Sequence, residues 1–379
     1  MRKLVWFLAI VATLCVAQSC NKQDIDVVKN TTLSCFTQGF VDGATSTPAV
    51  WEENEQICIC RAEDWYPALM SLTTGAESDA STFNGNIAGT KLGYYAVRPA
   101  KAMGAVTAAG KTTIKVEPNN IFFDDENSSV VVPQIGVGTA SLTFTSLFGV
   151  LKFDVAEIGS IAVIMASIPR RERGLYGQFS YDFKQNTLSG SEVEYEVTRI
   201  CDTPVETTSI NVALPAGIYN AVELIISDNT TGKKWLYSAN SVDVRRNQVT
   251  SATNVVPTEI SFVVGSWRLK SLCGEDVQGN LYIKFDTHQT FSTLQYTELE
   301  GYKRYTGAYS IDSATSTISG EYSDGEKWGD SYIFSMNENS ELVMQGVSSG
   351  DISIYEAVNI PNVPVIKSLC GTALIKKPL

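Results

Sequence analysis

The chain has 379 residues, with 29 Lys and Arg against 41 Asp and Glu, and a formal net charge of −12. A chain this acidic is excluded from binding nucleic acid through its general electrostatic field. Its apolar content of 44% is ample for packed cores, and its length predicts two or three domains.

The N-terminal segment predicts export. Arg2 and Lys3 precede an apolar run that extends from Leu4 to Ala17. At about 14 residues this run is too short for a bilayer-spanning helix, which needs ~20 residues, and it suits the core of a signal peptide. We therefore expect residues 1–19 to be a cleaved signal peptide.

The signal segment ends on a cysteine, in Ala17-Gln18-Ser19-Cys20. This stretch resembles the lipobox of bacterial lipoproteins, in which the cysteine receives lipid and becomes the new N terminus. The resemblance implies lipid attachment at Cys20, followed by a polar tether at 20–29, and a mature chain held at the outer membrane by its lipid. The alternative is ordinary secretion with an incidental cysteine.

The mature chain is predicted to be all-β. Short stretches alternate between apolar and polar residues and are separated by Gly, Asn, Asp and Ser, as in 112–118, 193–200 and 222–228. This pattern is typical of antiparallel sheets with one solvated face. No long helix-period run follows the signal segment.

Residues 30–257 contain several pieces in the order found in one family. They are WEENEQICI (from Trp51), TFNG (82–85), YYAVRP (94–99), LTFTSLFGVLKFDV (142–155), LPAGIYNAVELIISD (214–228) and VDVRRNQVT (242–250). Together they resemble the fimbrillin-like surface proteins of Gram-negative anaerobes. The resemblance implies two transthyretin-like β-sandwiches in tandem, at 30–139 and 140–257.

Large aromatic residues flank the strands of this region. Trp51, Tyr94 and Tyr95 are interpreted as packing residues, with a sugar-stacking platform as the alternative. The basic stretch 170–173 is interpreted as a solvated loop, with an anion site as the alternative.

Residues 262–360 predict a separate barrel. Eight short strands follow one another, at 267–272, 281–285, 290–296, 305–311, 317–323, 331–336, 341–346 and 352–358. Eight meandering strands favour closure, which removes exposed sheet edges. The opening GSWRL and the run ISGEYSDGEKWGDSYIFSM (318–336) resemble small lipocalin-like domains of anaerobe surface lipoproteins.

The alternation predicts large side chains inside this barrel: Trp267, Leu269, Ile283, Phe285, Phe291, Tyr309, Ile318, Tyr322, Tyr332, Phe334, Met336, Leu342, Met344, Ile352 and Ile354. An eight-stranded barrel is only just wide enough to be filled by side chains. A filled core is the favoured interpretation, and a small apolar or glycan site at one mouth is the alternative.

The pentapeptide KSLCG occurs twice, at 270–274 and in the C-terminal tail at 367–371. First and last strands are neighbours in a closed meander, so Cys273 and Cys370 could form a disulfide, with free thiols as the alternative. Cys58 and Cys60 are interpreted as packed thiols, because a metal needs more ligands than two.

Catalysis and cofactor binding have little support. His288 is the only histidine and lies in a turn, so no Ser-His or Cys-His pair is indicated. We expect no catalytic residues, no metal site and no cofactor.

The sequence thus predicts a non-enzymatic, lipid-anchored protein of the cell adhesion or fimbrial accessory type at the cell surface, with the periplasmic face of the outer membrane as the alternative location. It would consist of two sandwiches, the lipocalin-like barrel and a tail at 361–379. The alternative function is a binding module that captures a small apolar ligand or glycan in the barrel. Expected partners are the membrane, through the lipid, and a host or bacterial surface glycan or protein. We expect a monomer or a single accessory subunit and no nucleic acid.

Overall fold

A computed structural model of the chain describes residues 28–43, 45–46, 49–123, 132–155, 158–277, 280–298, 301–361 and 363. The expected signal peptide, Cys20 and Cys370 lie outside the described residues. Within the described part of the chain, no helix combines the length and apolar character needed to cross a membrane.

The described chain is all-β, as the alternating patterns predict. Two short 3-10 helices cover Ala100–Ala102 and Pro118–Asn120. The strands up to the middle of the chain are β1 (Lys29–Thr37), β2 (Val41–Asp42), β3 (Thr45–Ser46), β4 (Gln56–Arg61), β5 (Pro67–Thr74), β6 (Ala80–Ile87), β7 (Tyr94–Arg98), β8 (Lys111–Val116), β9 (Phe122–Phe123), β10 (Gln134–Gly138), β11 (Ser141–Ser146), β12 (Phe148–Asp154), β13 (Ile161–Ser167), β14 (Tyr176–Asp182) and β15 (Thr187–Glu194). The remaining strands are β16 (Glu196–Val205), β17 (Ser209–Pro215), β18 (Gly217–Asp228), β19 (Lys234–Val244), β20 (Val249–Ser251), β21 (Thr258–Ile260), β22 (Gly265–Leu272), β23 (Glu275–Asp276), β24 (Leu281–Phe285), β25 (Thr290–Thr297), β26 (Gly301–Asp312), β27 (Thr317–Tyr322), β28 (Tyr332–Met336), β29 (Leu342–Gly346) and β30 (Ile352–Ala357).

The first unit is a closed barrel with strand order β1-β11-β10-β7-β4-β5-β6. Closure depends on β1, which pairs with β6 on one side and in parallel with β11 on the other. The ladder is therefore continuous, where the sequence predicted a two-sheet sandwich. Trp51 is fully buried inside it, with its ring 4.8 Å from that of Phe83 and 5.2 Å from that of Phe144. The packing interpretation of Trp51 is confirmed.

Strand pairing crosses the boundary expected at 139/140. β11 lies after that boundary but belongs to the first barrel. β8 and β9 lie before it but pair with β14 and β17 of the second unit. The first two units are therefore interleaved in sequence. A strand joins the sheet edge at which its backbone N–H and C=O groups find hydrogen-bond partners.

The second unit is a stack of sheets around a large apolar core. Its sheets have the orders β20-β12-β17-β9, β16-β13-β18-β19-β21 and β15-β14-β8. Phe148, Phe153, Phe179 and Tyr219 are among the buried side chains between them. β21 comes from the segment that leads into the third unit and extends the second sheet along β19.

The third unit is a closed barrel in which β22 and β24 to β30 follow one another in sequence order. The last strand β30 pairs with β22, so the expected adjacency of first and last strands is confirmed. All eight predicted strands are present, and the two-residue β23 forms an additional hairpin with β22.

The barrel interior is apolar around Trp267, Phe285 and Phe291. Trp328 joins this core from the link between β27 and β28, with its ring 5.0 Å from that of Phe291. The sequence did not predict Trp328 as a core residue, because it lies outside the strands.

The predicted inner face of β30 was wrong. Ile352 is 41% exposed and Ile354 is half-buried, whereas Tyr355 is 3% exposed. Tyr355 pairs with the inward residues Leu269 and Leu342. Successive side chains of a strand point to opposite faces. The pairing of β30 with its neighbours therefore decides which set of side chains lies inside the barrel.

Candidate functional site

A cleft lies between the second unit and the third-unit barrel. It has a volume of about 360 Å³. One wall comes from the ends of β13 to β16 and from β18, and the other comes from β24, β25, β26 and the turn after β24. We call this site the inter-unit cleft. Its volume is at the lower end of the range of about 300–1,000 Å³ that is typical of small-molecule sites.

Polar bonds between the two units connect the walls. Glu196 of β16 forms an ion pair with Lys284 of β24 and accepts a hydrogen bond from Ser266 at 3.4 Å. The buried carboxylate of Glu223 accepts hydrogen bonds from Thr287 of the barrel at 3.1 Å and from Ser167 at 3.4 Å. These bonds set the position of one wall relative to the other.

A second set of contacts lies at the base of the connection between the units. The backbone N–H of Thr198 donates to the side-chain oxygen of Asn359 at 3.0 Å. Lys234 donates to the carbonyl of Val264 at 2.5 Å, and its ammonium lies 4.6 Å from the centre of the Trp267 ring. The segment entering the barrel is therefore bonded to the second unit.

Several groups in the cleft retain hydrogen-bonding capacity. Among the described residues, the side chains of Arg304 and Glu194 have no polar partner, and Arg171 only covers the ring of Tyr195 at 5.6 Å. Burial, as the largest cause, and the nearby negative charges of Glu194 and Glu196 together raise the pKa of Tyr176 to about 12. Tyr176 therefore stays neutral at physiological pH. These groups can donate to and accept from a ligand.

His288 is exposed, as expected for a turn residue, and it lies on the rim of the cleft. The carboxylate of Asp286 holds the turn by accepting from the backbone N–H groups of His288 at 2.9 Å and Thr290 at 2.8 Å. His288 Nδ1 is 3.2 Å from the Thr287 hydroxyl, which already donates to Glu223. The turn therefore positions an imidazole beside the cleft.

Among the described residues, Cys35, Cys58, Cys60 and Cys273 are free thiols. Cys58 and Cys60 lie in β4, and burial raises the pKa of the Cys60 thiol to about 12. This environment confirms their interpretation as packed thiols. Cys273 is exposed in the turn after β22, where its backbone N–H donates a hydrogen bond to the carbonyl of Ile352. The pairing of Cys273 with Cys370 stays a prediction.

Among the residues that the structure describes, no group of three or more His, Cys, Asp or Glu could hold a metal ion. Where the barrel core is described, the rings of Phe285 and Phe291 pack against that of Trp328, with their centres 6.3 and 5.0 Å away from it. The filled interpretation of that part of the barrel is therefore supported.

Sequence reasoning did not find the inter-unit cleft. Its residues come from many separate strands, and none of them forms a local motif. Two of its lining residues were discussed from the sequence: Arg171, in the basic stretch interpreted as a solvated loop, and His288, interpreted as a turn residue. A pattern confined to neighbouring residues carries no signal for a surface made by two units.

The chain matches no family model and no curated protein sequence. Among solved structures, it is similar to the tip fimbrial protein Mfa3 from Porphyromonas gingivalis with a C-terminal truncation. The identity is 8% and the TM-score 0.33, over 61% of this chain and 99% of that one. It is also similar to a candidate cell adhesion protein from Bacteroides fragilis NCTC 9343. Here the identity is 10% and the TM-score 0.31, over 61% of this chain and 97% of that one. Both similarities are too weak to bear on function, so the inferences below depend on the chain's own residues.

Proposed function

We propose that the chain is a non-enzymatic cell-surface protein of the adhesion or fimbrial accessory type that binds its partner in the inter-unit cleft. Lipid at Cys20 would anchor it to the outer membrane. The observation that carries the proposal is the cleft itself, a ligand-sized surface with unpaired polar side chains from both units.

The contacts at the connection favour a permanently anchored monomer or a single accessory subunit. β21 lies along β19, so the segment after the second unit occupies that sheet edge. A following barrel, bonded back through Lys284 and Thr287, would hinder the release of a terminal strand to a neighbouring molecule.

Adhesion of protein-coated beads tests the proposal. Beads carry the lipid-free chain from residue 21 onward and are applied to surfaces coated with mucin, fibronectin or collagen. Ser292→Trp places a large ring in the cleft and should abolish adhesion to the surface that the parent binds. Ser310→Trp is the matched control, because Ser310 is exposed on β26 outside the cleft.

Far-UV circular dichroism and thermal unfolding check that both variants fold. Adhesion that is equal for Ser292→Trp and Ser310→Trp would show that the cleft is not the binding surface. A parent chain that binds none of the three surfaces would contradict the adhesion function.

A further inference from the structure

We infer that the inter-unit cleft recognises an uncharged carbohydrate chain. This inference depends on the proposed function, because it names the ligand of the same site.

The lining offers both donors and acceptors. The guanidinium groups of Arg171 and Arg304 donate only, the carboxylate of Glu194 accepts only, and the hydroxyls of Tyr176 and Ser292 can do either. Among the described residues, none of these five side chains has a hydrogen-bonding partner within the protein. A ligand that satisfies them must carry donors and acceptors side by side, as the hydroxyl groups of a sugar do.

The charges of the lining argue against an ionic ligand. Its cations are Arg171, Lys284 and Arg304, and its carboxylates are Glu194, Glu196, Glu223 and Asp286. An anion would face the carboxylates, and a cation would face the guanidinium groups. The net charge of −12 also repels acidic glycans at long range. An uncharged ligand avoids both penalties.

The polar lining also disfavours an apolar ligand, since such a ligand would bury Glu194 and Arg304 without partners. The ring of Tyr176 supplies a flat surface with a polar tip, against which the C–H face of a sugar ring can pack. A volume of about 360 Å³ has room for a short stretch of such a chain.

A glycan array tests the ligand class. The lipid-free chain from residue 21 onward is applied to neutral, sialylated and sulfated oligosaccharides, and calorimetry follows on a neutral one that binds. We expect binding to neutral oligosaccharides, with an affinity that changes little between 50 and 500 mM salt, because no charged pair is screened.

Variants connect that binding to the cleft. Arg304→Ala and Glu194→Gln should each weaken it about 10-fold or more, because each removes a charge-assisted hydrogen bond. Arg245→Ala is the matched control, since Arg245 is an exposed arginine of the second unit outside the cleft. Its affinity should equal that of the parent.

Each other outcome is decisive. Binding to sialylated or sulfated glycans alone overturns the ligand class, and neutral binding that survives both variants overturns the site. If no glycan binds but Ser292→Trp still abolishes bead adhesion, the carbohydrate inference fails while the proposed function stands. If the parent adheres to nothing in either assay, both fail.

Discussion

Arg98 is almost completely buried at one end of the first barrel. It pairs with Glu55 through two hydrogen bonds of 2.6 and 3.0 Å, and the two side chains are only 4% and 6% exposed. Its remaining N–H groups donate to Thr37, Gln134 and a backbone carbonyl. The guanidinium also lies 4.1 Å from the centre of the Trp51 ring. This network satisfies a buried charge that would otherwise be very costly.

Removing one partner of this pair should destabilise the protein. Arg98→Met leaves the buried Glu55 carboxylate without its counter-ion, with only the backbone N–H of Glu52 still donating to it, and such a loss costs about 3–5 kcal/mol in comparable pairs. The double variant Arg98→Met/Glu55→Leu should recover much of the loss, because no unpaired charge remains. Urea unfolding monitored by tryptophan fluorescence measures both. Arg245→Met, which breaks an exposed pair with Asp243, should have little effect. Equal losses of stability for Arg98→Met and Arg245→Met would show that burial of the Arg98–Glu55 pair has no special effect on stability.

Lys234 is also a buried cation, and in the described part of the chain its ammonium forms no ion pair. Its ammonium contacts the Val264 carbonyl and the Trp267 ring in a pocket at the base of the barrel. Burial lowers the pKa of Lys234 from its ordinary 10.5 to about 7. The unfolded chain therefore binds more protons at this residue than the folded chain between pH 7 and 10.5.

Stability should consequently rise with pH through this window. The contribution of Lys234 is at most about 1.4 kcal/mol per pH unit above pH 7, and it should be flat below pH 7, where both states are protonated. Lys234→Met should be more stable than the parent at pH 7 and should lose this dependence. Chemical unfolding at pH 6, 7.5 and 9 gives the difference in the free energy of unfolding between Lys234→Met and the parent. A difference that does not shrink as pH rises would contradict the burial argument.

At the scale of the element, the link between β27 and β28 completes the third-unit barrel. Only two residue pairs join these strands, and Trp328 from the link packs in the core beside them. Gly320 of β27 leaves room for its ring, since a Cβ at this position would lie 2.3 Å from Trp328 Cε2. A glycine in mid-strand is thus explained by a close approach.

Gly320→Ala should displace Trp328 and destabilise the barrel by about 1–3 kcal/mol, as overpacked cores do. Gly329→Ala is the matched control, because a Cβ there meets no atom within 4 Å. Thermal unfolding and the tryptophan emission maximum report both effects. If the two variants behave alike, Trp328 does not depend on Gly320.

The pairing of β22 with β30 brings the turn containing Cys273 to the end of the barrel from which the last strand begins. We predict that Cys273 and Cys370 form a disulfide in oxidised protein. Such a link would close a loop of about 97 residues and add roughly 4–5 kcal/mol before strain is subtracted. Non-reducing peptide mapping should find the linked peptides in the parent and in Cys201→Ser, but not in Cys273→Ser. Two free thiols in oxidised parent protein would refute the pairing.

Element positions in the third unit were predictable, because alternation and turn residues act over a few neighbouring positions. The observed strand β24 (281–285) coincides with its prediction, and β25 extends its own by a single residue. The phase of β30 was not predictable. The two faces of β30 are similar in hydrophobicity, so the pairing of Tyr355 with Leu269 decided which face lies inside the barrel.

At the scale of the whole molecule, the proposed role requires the three units to stand on a lipid anchor. Cys20→Ala should release the protein from the membrane fraction or leave it unprocessed, because two or three acyl chains at ~0.8 kcal/mol per buried CH2 provide the attachment. Cys15→Ala, within the apolar run, is the control and should still fractionate with membranes. A Cys20→Ala protein that matures and fractionates like the parent would rule out the anchor.

The units are connected by contacts that no local pattern indicates. The Thr198–Asn359 bond joins residues 161 positions apart, and the Thr287–Glu223 bond joins residues 64 positions apart. β8, β9 and β11 each join a unit other than the one expected from their position. Such pairings depend on which sheet edges are free once the chain has collapsed.

The sequence by itself determined the all-β class, the eight strands of the C-terminal barrel and the packing roles of Trp51 and the cysteines of β4. These follow from the period of the strands and from the burial of large apolar side chains, which are local properties. Only the tertiary structure decided the closure of the first barrel, the phase of β30 and the inter-unit cleft. Each of these depends on hydrogen bonds and charges between distant segments, such as Glu196 with Lys284, whose partners are chosen by the packing of whole units.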